Sequence, residues 1–227
     1  MKRRTLDILF SAGAAMLAGL LIIMGVVLTN NASFSRDYVA EQLGEQKITF
    51  KAADALSEEE LAFTEARTGC LVTYAGQAVT TGKQAECYAN ELILGHMRSP
   101  EGAAQGRTFT ELGAVQGDLR GQIRAATDAG DTPTVTTLEE ELATVTAARE
   151  TVFKGEMLRG ALLSTYGFSQ LGEKAQQGAN VAFIVGVVLL LLAAAGFVHA
   201  FRTPKSEAFA PVENGKAREA QLPRARI

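Results

Sequence analysis

The sequence predicts an all-α membrane protein, in which two transmembrane helices flank an extracytoplasmic helical bundle and a disordered cytoplasmic tail follows the second helix. Two apolar runs, one near each end, are long enough at ~1.5 Å per residue to cross the ~30 Å hydrocarbon layer. Between them, helix-start signals precede amphipathic segments, and no strand-like alternation of useful length occurs. These observations predict the fold class.

The first apolar run covers Ile8–Thr29 and the second covers residues 178–201. Residues 1–7 and 202–227 together contain 9 basic and 4 acidic residues, whereas residues 30–177 contain 13 basic and 21 acidic residues. Basic flanks of a span stay in the cytoplasm. We therefore expect both termini in the cytoplasm and the acidic domain, residues 30–177, outside it, where its charge disfavours nucleic-acid binding.

The basic start followed by an apolar run is also typical of a cleaved signal peptide. The apolar run at residues 8–29 is longer than the 7–15 apolar residues usual in a signal peptide. The segment Thr29–Ser33, which follows the run, contains no good small-x-small cleavage site. We expect an uncleaved anchor. Cleavage would leave one span and the same exterior domain.

Small residues recur every fourth position in both spans. This spacing allows close helix packing in lipid, against each other or against a partner, although Gly and Ala are also common in spans without such a role. The residues concerned are Ser11, Ala15 and Gly19 in the first span, and Gly178, Ala182 and Gly186 in the second.

The helical pattern continues past Thr29, with Phe34 and Tyr38 on one face, and Gly44 is expected to end it. The segment Lys47–Lys51 is expected to be extended. Four capping-box patterns then predict helix starts, because a Ser or Thr and the Glu or Gln three residues later each satisfy a free helix-start amide. They begin at Ser57, Thr81, Thr108 and Thr137.

The last of these helices leads into an apolar, glycine-rich linker at Phe153–Gln177. Each Gly costs ~1 kcal/mol relative to Ala inside a helix, so we expect a bend or break, above all between Gly167 and Gly178. The linker is expected to pack near Phe34 and Tyr38. Alternatively, its aromatic residues form a belt at the level of the lipid headgroups.

Cys70 and Cys87 are the only cysteines, and both lie in the predicted exterior domain. Thiols there tend to be oxidised, so a structural disulfide is expected; two free buried thiols are the alternative. The spacing is not C-x-x-C, and two histidines are too few to complete a zinc shell.

Residues that typically perform catalysis are scarce. His96 and His199 are expected on opposite sides of the membrane, and no phosphate loop, nucleophile elbow or dinucleotide motif occurs. The acidic clusters Glu58–Glu60 and Glu139–Glu141 lack calcium-loop spacing and are interpreted as helix first turns. We expect no catalytic residue, no cofactor and no metal.

Three segments together resemble an uncharacterised family of two-span actinobacterial membrane proteins. They are Phe34-x-x-x-Tyr38-Val39, Thr73–Met97 and Phe153–Phe168. Members are labelled aromatic ring-opening dioxygenases, which implies an iron site of two histidines and a carboxylate on one face. Because His96 and His199 are expected on opposite sides of the membrane, we reject that activity for this chain.

The sequence favours a non-enzymatic membrane protein whose exterior domain binds a protein partner, as an accessory or stabilising subunit of a membrane or envelope complex. The expected partners are the lipid bilayer and that protein. An extracytoplasmic sensor that signals through a separate protein is the alternative, because the predicted tail is short. A third hypothesis, an enzyme that uses two carboxylates on envelope glycans, requires a cleft that the sequence does not indicate.

Overall fold

The structure, a computed structural model, describes residues 3–204. Of these residues, 83% are helical and none forms a strand, which confirms the predicted all-helical class with two long apolar helices. Of the tail predicted at residues 202–227, residues 205–227 lie outside the described residues. The chain divides into two compact units. We name the described residues 3–30 and 175–204 the apolar unit, and residues 31–174 the polar unit.

Two long helices contribute to both units, and shorter helices lie between them in the chain. A 3₁₀ turn occupies Ala53–Ala55, and a six-residue π-helix at Tyr88–Ile93 joins α4 to α5. The α-helices are α1 (Arg3–Gln46), α2 (Glu58–Glu65), α3 (Cys70–Thr73), α4 (Gly82–Cys87), α5 (Leu94–Arg98), α6 (Phe109–Asp128) and α7 (Thr132–Arg202).

In the apolar unit, the two helical segments run antiparallel and approach closely at small residues. Gly196 lies against Ser11, Gly186 against Ala18, and Gly25 against the ring of Phe183. Apart from Ala182, the buried small residues recur every seven positions, the spacing typical of left-handed helix pairs. They are Ser11, Ala18 and Gly25 on α1, and Ala179, Gly186, Ala193 and Ala200 on α7.

The residues of the predicted four-residue ridges occupy different environments. Ser11, Ala182 and Gly186 are buried, whereas Ala15, Gly19 and Gly178 are half-buried. A Cβ added to Gly178 would meet Leu28 at 3.4 Å, but one added to Gly19 would meet no atom within 4 Å. The contacts follow a seven-residue spacing because only one narrow stripe of each helix meets the other.

Both long helices contain windows that are long and apolar enough to cross a membrane. Only 11% of the α1 window and 17% of the α7 window are buried, unlike the core helix of a soluble protein. Large side chains such as Leu9, Phe10, Leu191 and Leu192 are exposed around the pair. Such apolar outer faces suit a hydrocarbon environment.

The polar unit has its main core where the short helices meet residues of α1 and α7 that belong to the same unit. Val39 and Leu43 of α1, Leu71 of α3 and Leu162 of α7 are all buried there. The extended segment after Lys47 also contributes, because Phe50 packs against the rings of Tyr74 and Tyr88. This segment pairs with residues 76–79 through backbone hydrogen bonds and one antiparallel bridge, Thr49 to Ala78.

Three of the four predicted capping boxes are confirmed. The hydroxyls of Ser57, Thr81 and Thr108 each accept a hydrogen bond from the amide three residues later, and the Glu or Gln side chain at that position accepts one from the cap amide. The helix predicted to start at Ser57 ends at Glu65, and α1 ends at Gln46, two residues beyond the predicted end at Gly44.

The prediction of a fourth capping box, at Thr137, is wrong. Helix α7 begins at Thr132, and the Thr137 hydroxyl donates to the carbonyl of Pro133 inside the helix. The Asp131 carboxylate accepts hydrogen bonds from the amide and hydroxyl of Thr134, so Asp131 acts as the cap. Pro133 favours this earlier start, because it lies in the first turn, where no amide donor is needed.

The predicted break in the glycine-rich linker is also wrong, because α7 is helical without interruption from Thr132 to Arg202. Two of its glycines lie where a side chain would clash. Gly155 faces Met97, and Gly172 faces Ser35 and Ala32. The linker packs against α1 as expected, with the Tyr38 and Phe168 rings 5.8 Å apart and the Ser35 hydroxyl donating to the Phe168 carbonyl.

We predict that Gly186→Leu destabilises the apolar unit. A Cβ there would lie 3.1 Å from Ile22 Cγ1 and 3.3 Å from the Ala18 carbonyl oxygen, so leucine must push the helices apart. Overpacking of this kind typically costs ~1–3 kcal/mol. Thermal unfolding in detergent, followed by circular dichroism, should show a lower Tm. The matched control Gly19→Leu should keep the wild-type Tm, and equal effects of the two variants would contradict the packing.

Candidate functional site

Two glutamates of the polar unit are almost fully buried, although carboxylates rarely are unless they are paired. Glu60 is 5% exposed and Glu91 is 3% exposed. Removing a carboxylate from water is costly unless hydrogen bonds or a cation compensate. The hydrogen-bond and ionic partners of Glu60 and Glu91 therefore show how the polar unit stabilises two buried carboxylates.

Glu60 is the third residue of α2 and joins three segments of the chain. Its Oε2 accepts from the Ser57 amide at 2.8 Å, and its Oε1 accepts from Lys51 Nζ at 2.7 Å. His96 Nε2 of α5 also lies 2.7 Å from Oε1. Burial alone would raise the pKa of Glu60, but the hydrogen bonds from Lys51, the Ser57 amide and His96 together lower it to about 2.

Glu91 lies in the π-helix and is held by neutral donors alone. One oxygen accepts from the Thr64 hydroxyl, and the other accepts from the Thr68 hydroxyl and from the Thr68 amide at 3.2 Å. The Thr64 oxygen also accepts from the Leu71 amide, which orients its hydrogen toward Glu91. Among the described residues, no Lys, Arg or His nitrogen lies within 4.0 Å of this carboxylate.

The π-helix at Tyr88–Ile93 is a feature that the sequence analysis missed. The capping box at Thr81 predicts one regular helix, but the helix changes from α to π after Cys87 and becomes α-helical again at Leu94. Single π turns within helices often occur at functional sites. Here the turn carries Glu91, and Asn90 beside it, into the wall of a pocket.

This pocket, the Glu91 pocket, has a volume of ≈ 430 Å³ and lies wholly within the polar unit. Two cationic side chains and two carboxylates line it, together with Tyr74 and the cysteine pair. The charged residues are Arg67, Lys83, Glu86 and Glu91.

Cys70 and Cys87 lie at disulfide distance, as the sequence predicts, with their Cα atoms 6.0 Å apart. The bond joins α3 to the end of α4 and forms part of the pocket wall. Both sulfurs lie within 4.8 Å of a Glu91 carboxylate oxygen, a grouping that resembles a metal site. Because the sulfurs bond each other, they are not available as thiolate ligands.

The two histidines belong to different units, and each has its own carboxylate. His96 is half-exposed and contacts Glu60 in the polar unit. In the apolar unit, His199 Nε2 lies 3.9 Å from Asp7 Oδ2. The acidic clusters also differ from expectation. Glu58–Glu60 form the first turn of α2, whereas Glu139–Glu141 lie inside α7 and are exposed, so their assignment to a first turn is wrong.

No family model, curated protein or solved structure matches this chain. The resemblance to two-span actinobacterial membrane proteins therefore stays a prediction.

We predict that Glu60 makes stability depend on acid pH. Its folded pKa of about 2 lies below the ordinary 4.5, so the contribution is complete above pH 4.5 and is lost as pH falls toward 2. The shift corresponds to at most roughly 3 kcal/mol, and solvent reduces it because Lys51 and His96 are half-exposed.

Unfolding free energies measured across this pH range should fall more steeply for the wild type than for Glu60→Gln. Glu59→Gln is the matched control, because Glu59 lies in the same turn but is exposed. Parallel pH profiles for the wild type and Glu60→Gln would contradict the assignment.

We predict that replacing both cysteines by serine lowers the free energy of unfolding by ~3 kcal/mol, because the bond closes a loop with a sequence separation of 17. A reducing agent should lower the Tm of the wild type and leave that of the double variant unchanged. Mass spectrometry after unfolding without reductant should detect no thiol labelling of the wild type. Labelling of both cysteines would show that the bond is absent.

Proposed function

We propose that this protein is a non-enzymatic integral membrane protein whose polar unit lies outside the cytoplasm and binds another protein, as an accessory or stabilising subunit of a membrane or envelope complex. The observation that carries this proposal is a line of exposed residues along α7. We name it the outer stripe. Its residues are Phe153, Met157, Gly160, Ser164, Gly167 and Leu171.

The outer stripe has the spacing of a helix-docking seam. Its residues alternate steps of four and three positions, so at 3.6 residues per turn they share one face of α7. Phe153, Met157 and Leu171 are 49%, 61% and 68% exposed. Charged residues lie on both sides, Glu150 and Lys154 on one and Glu156 on the other, as they do beside coiled-coil seams.

The two glycines of the outer stripe strengthen this interpretation. A Cβ added to Gly160 or Gly167 would meet no atom within 4 Å, so packing within the described chain does not require either glycine. Each nevertheless costs ~1 kcal/mol relative to Ala in a helix. Small residues between large apolar ones allow a second helix to approach closely. Docking of a partner helix would therefore explain why glycine occurs at these two positions.

The membrane part of the proposal rests on the two apolar windows and on the basic residues that flank them. Spans with basic flanks on one side place those flanks in the cytoplasm. The polar unit then lies outside, where a disulfide is stable. The partner in this proposal is a helix-presenting membrane or envelope protein, not a nucleic acid.

An extracytoplasmic sensor is the second candidate, and the Glu91 pocket favours it. A polar pocket of ≈ 430 Å³ in the unit proposed to face outward is large enough for a small ligand. The signal would then pass to a separate partner protein.

We predict that Met157→Glu releases the partner. A carboxylate placed at the centre of an apolar seam must be desolvated on binding, and disruption of a central interface residue typically weakens binding tenfold or more, about 1.4 kcal/mol. The test is affinity purification of the full-length protein from its native membrane in mild detergent, with quantitative mass spectrometry. Photocrosslinking at Met157 should capture the same partner.

Thr151→Glu is the matched control, since it adds the same charge at an exposed position of α7 away from the outer stripe. It should retain the partner, and both variants should keep the wild-type Tm. The proposal fails if the wild type migrates alone as a monomer, or if the two variants retain the partner equally.

A further inference from the structure

Glu91 lines the Glu91 pocket, and among the described residues no cationic side chain pairs with its carboxylate. Its three hydrogen bonds come from uncharged donors of Thr64 and Thr68. A carboxylate offers about four acceptor positions, so one remains unused. A buried anion held in this way is best stabilised by a positive group that enters the pocket.

The other walls near Glu91 suit an organic cation better than a metal ion. Tyr74 contributes an aromatic side chain, and ammonium groups bind favourably over aromatic faces. The disulfide adds an apolar, polarisable surface instead of two thiolates. Metal ligation would need several oxygen, nitrogen or thiolate ligands around one point.

The remaining charges indicate that the ligand also carries an anion. Arg67 contacts the Asn90 carbonyl and the Phe63 ring, and no described carboxylate pairs with it. Lys83 is half-exposed; it pairs with Glu86 at 3.3 Å and donates to the Tyr166 hydroxyl at 3.2 Å. A ligand that carries only a positive charge would be repelled by Arg67 and Lys83. A ligand that carries only a negative charge would be repelled by Glu86 and Glu91.

We propose that the Glu91 pocket binds a small zwitterion of the amino-acid class, including short peptides. Its ammonium group binds the Glu91 carboxylate, and its carboxylate binds the Arg67 guanidinium. A volume of ≈ 430 Å³ accommodates such a ligand. This site does not depend on the outer stripe, and it provides the ligand that the sensor candidate requires.

The test uses the full-length protein in detergent. Each standard L-amino acid and a set of dipeptides are screened by thermal shift, and every hit is titrated by calorimetry. For each hit, the amine that lacks the carboxylate and the acid that lacks the ammonium group are measured in parallel. We expect the zwitterion to raise the Tm and to bind at least tenfold more tightly than either analogue.

Two substitutions test the assigned contacts. Glu91→Gln keeps the side-chain shape and removes the charge, and Arg67→Met removes the guanidinium from an exposed position. Each should weaken binding tenfold or more, whereas Glu101→Gln, an exposed control, should bind as the wild type does. If Glu91→Gln does not fold, the ligand affinity of Arg67→Met alone tests the proposal.

The proposal is overturned if no amino acid or dipeptide shifts the Tm, if the amine alone binds as tightly as the zwitterion, or if Arg67→Met binds normally. Ligand binding is measured independently of the co-purification of a partner. A failed ligand screen therefore leaves the helix-docking proposal intact, and retention of the partner by Met157→Glu contradicts helix docking but leaves the ligand-binding proposal intact.

Discussion

The short helices of the polar unit depend on the buried Glu91 carboxylate. Apolar contacts in this core are not directional and tolerate small shifts. The carboxylate, in contrast, needs Thr64 of α2 and Thr68 of the following turn in fixed positions. Loss of these donors would leave a buried anion unsatisfied, which is far more costly than a lost apolar contact. The end of α2 is therefore fixed against the π-helix, and the disulfide at Cys87 holds α3 to the same place.

Local features of this fold could be predicted from the sequence, and features that depend on distant partners could not. The caps at Ser57, Thr81 and Thr108 use atoms within four consecutive residues, so the pattern alone identifies them. Thr137 fits the same pattern but lies inside a helix that Asp131 starts earlier. Glu91 has its partners 23 and 27 residues earlier in the chain, and no periodic signal marks either its burial or the π turn.

Glycines show the same distinction within α7. Their number suggested a break, because a glycine weakens a helix when nothing else is considered. In the structure, Gly172 allows close approach to α1 within the polar unit, and Gly186 does so within the apolar unit. Which small residue faces the other helix depends on the register between two distant segments. The small residues in the sequence therefore predict close helix packing. The seven-residue spacing of the contacts, however, could be found only from the structure.

Two hydrogen bonds connect the walls of the Glu91 pocket to α7, on the side away from the outer stripe. Lys83 Nζ donates to the Tyr166 hydroxyl, and Arg159 donates to Asn90 Oδ1. If a ligand that changes either bond alters the affinity for the partner, the partner alters the affinity for the ligand by the same factor. Lys83 is half-exposed, so its contact is worth less than ~1 kcal/mol. Arg159 is less exposed than Lys83, 27% against 53%, so solvent screens its contact less. Arg159 is therefore the residue through which occupancy of the pocket would reach the docking helix.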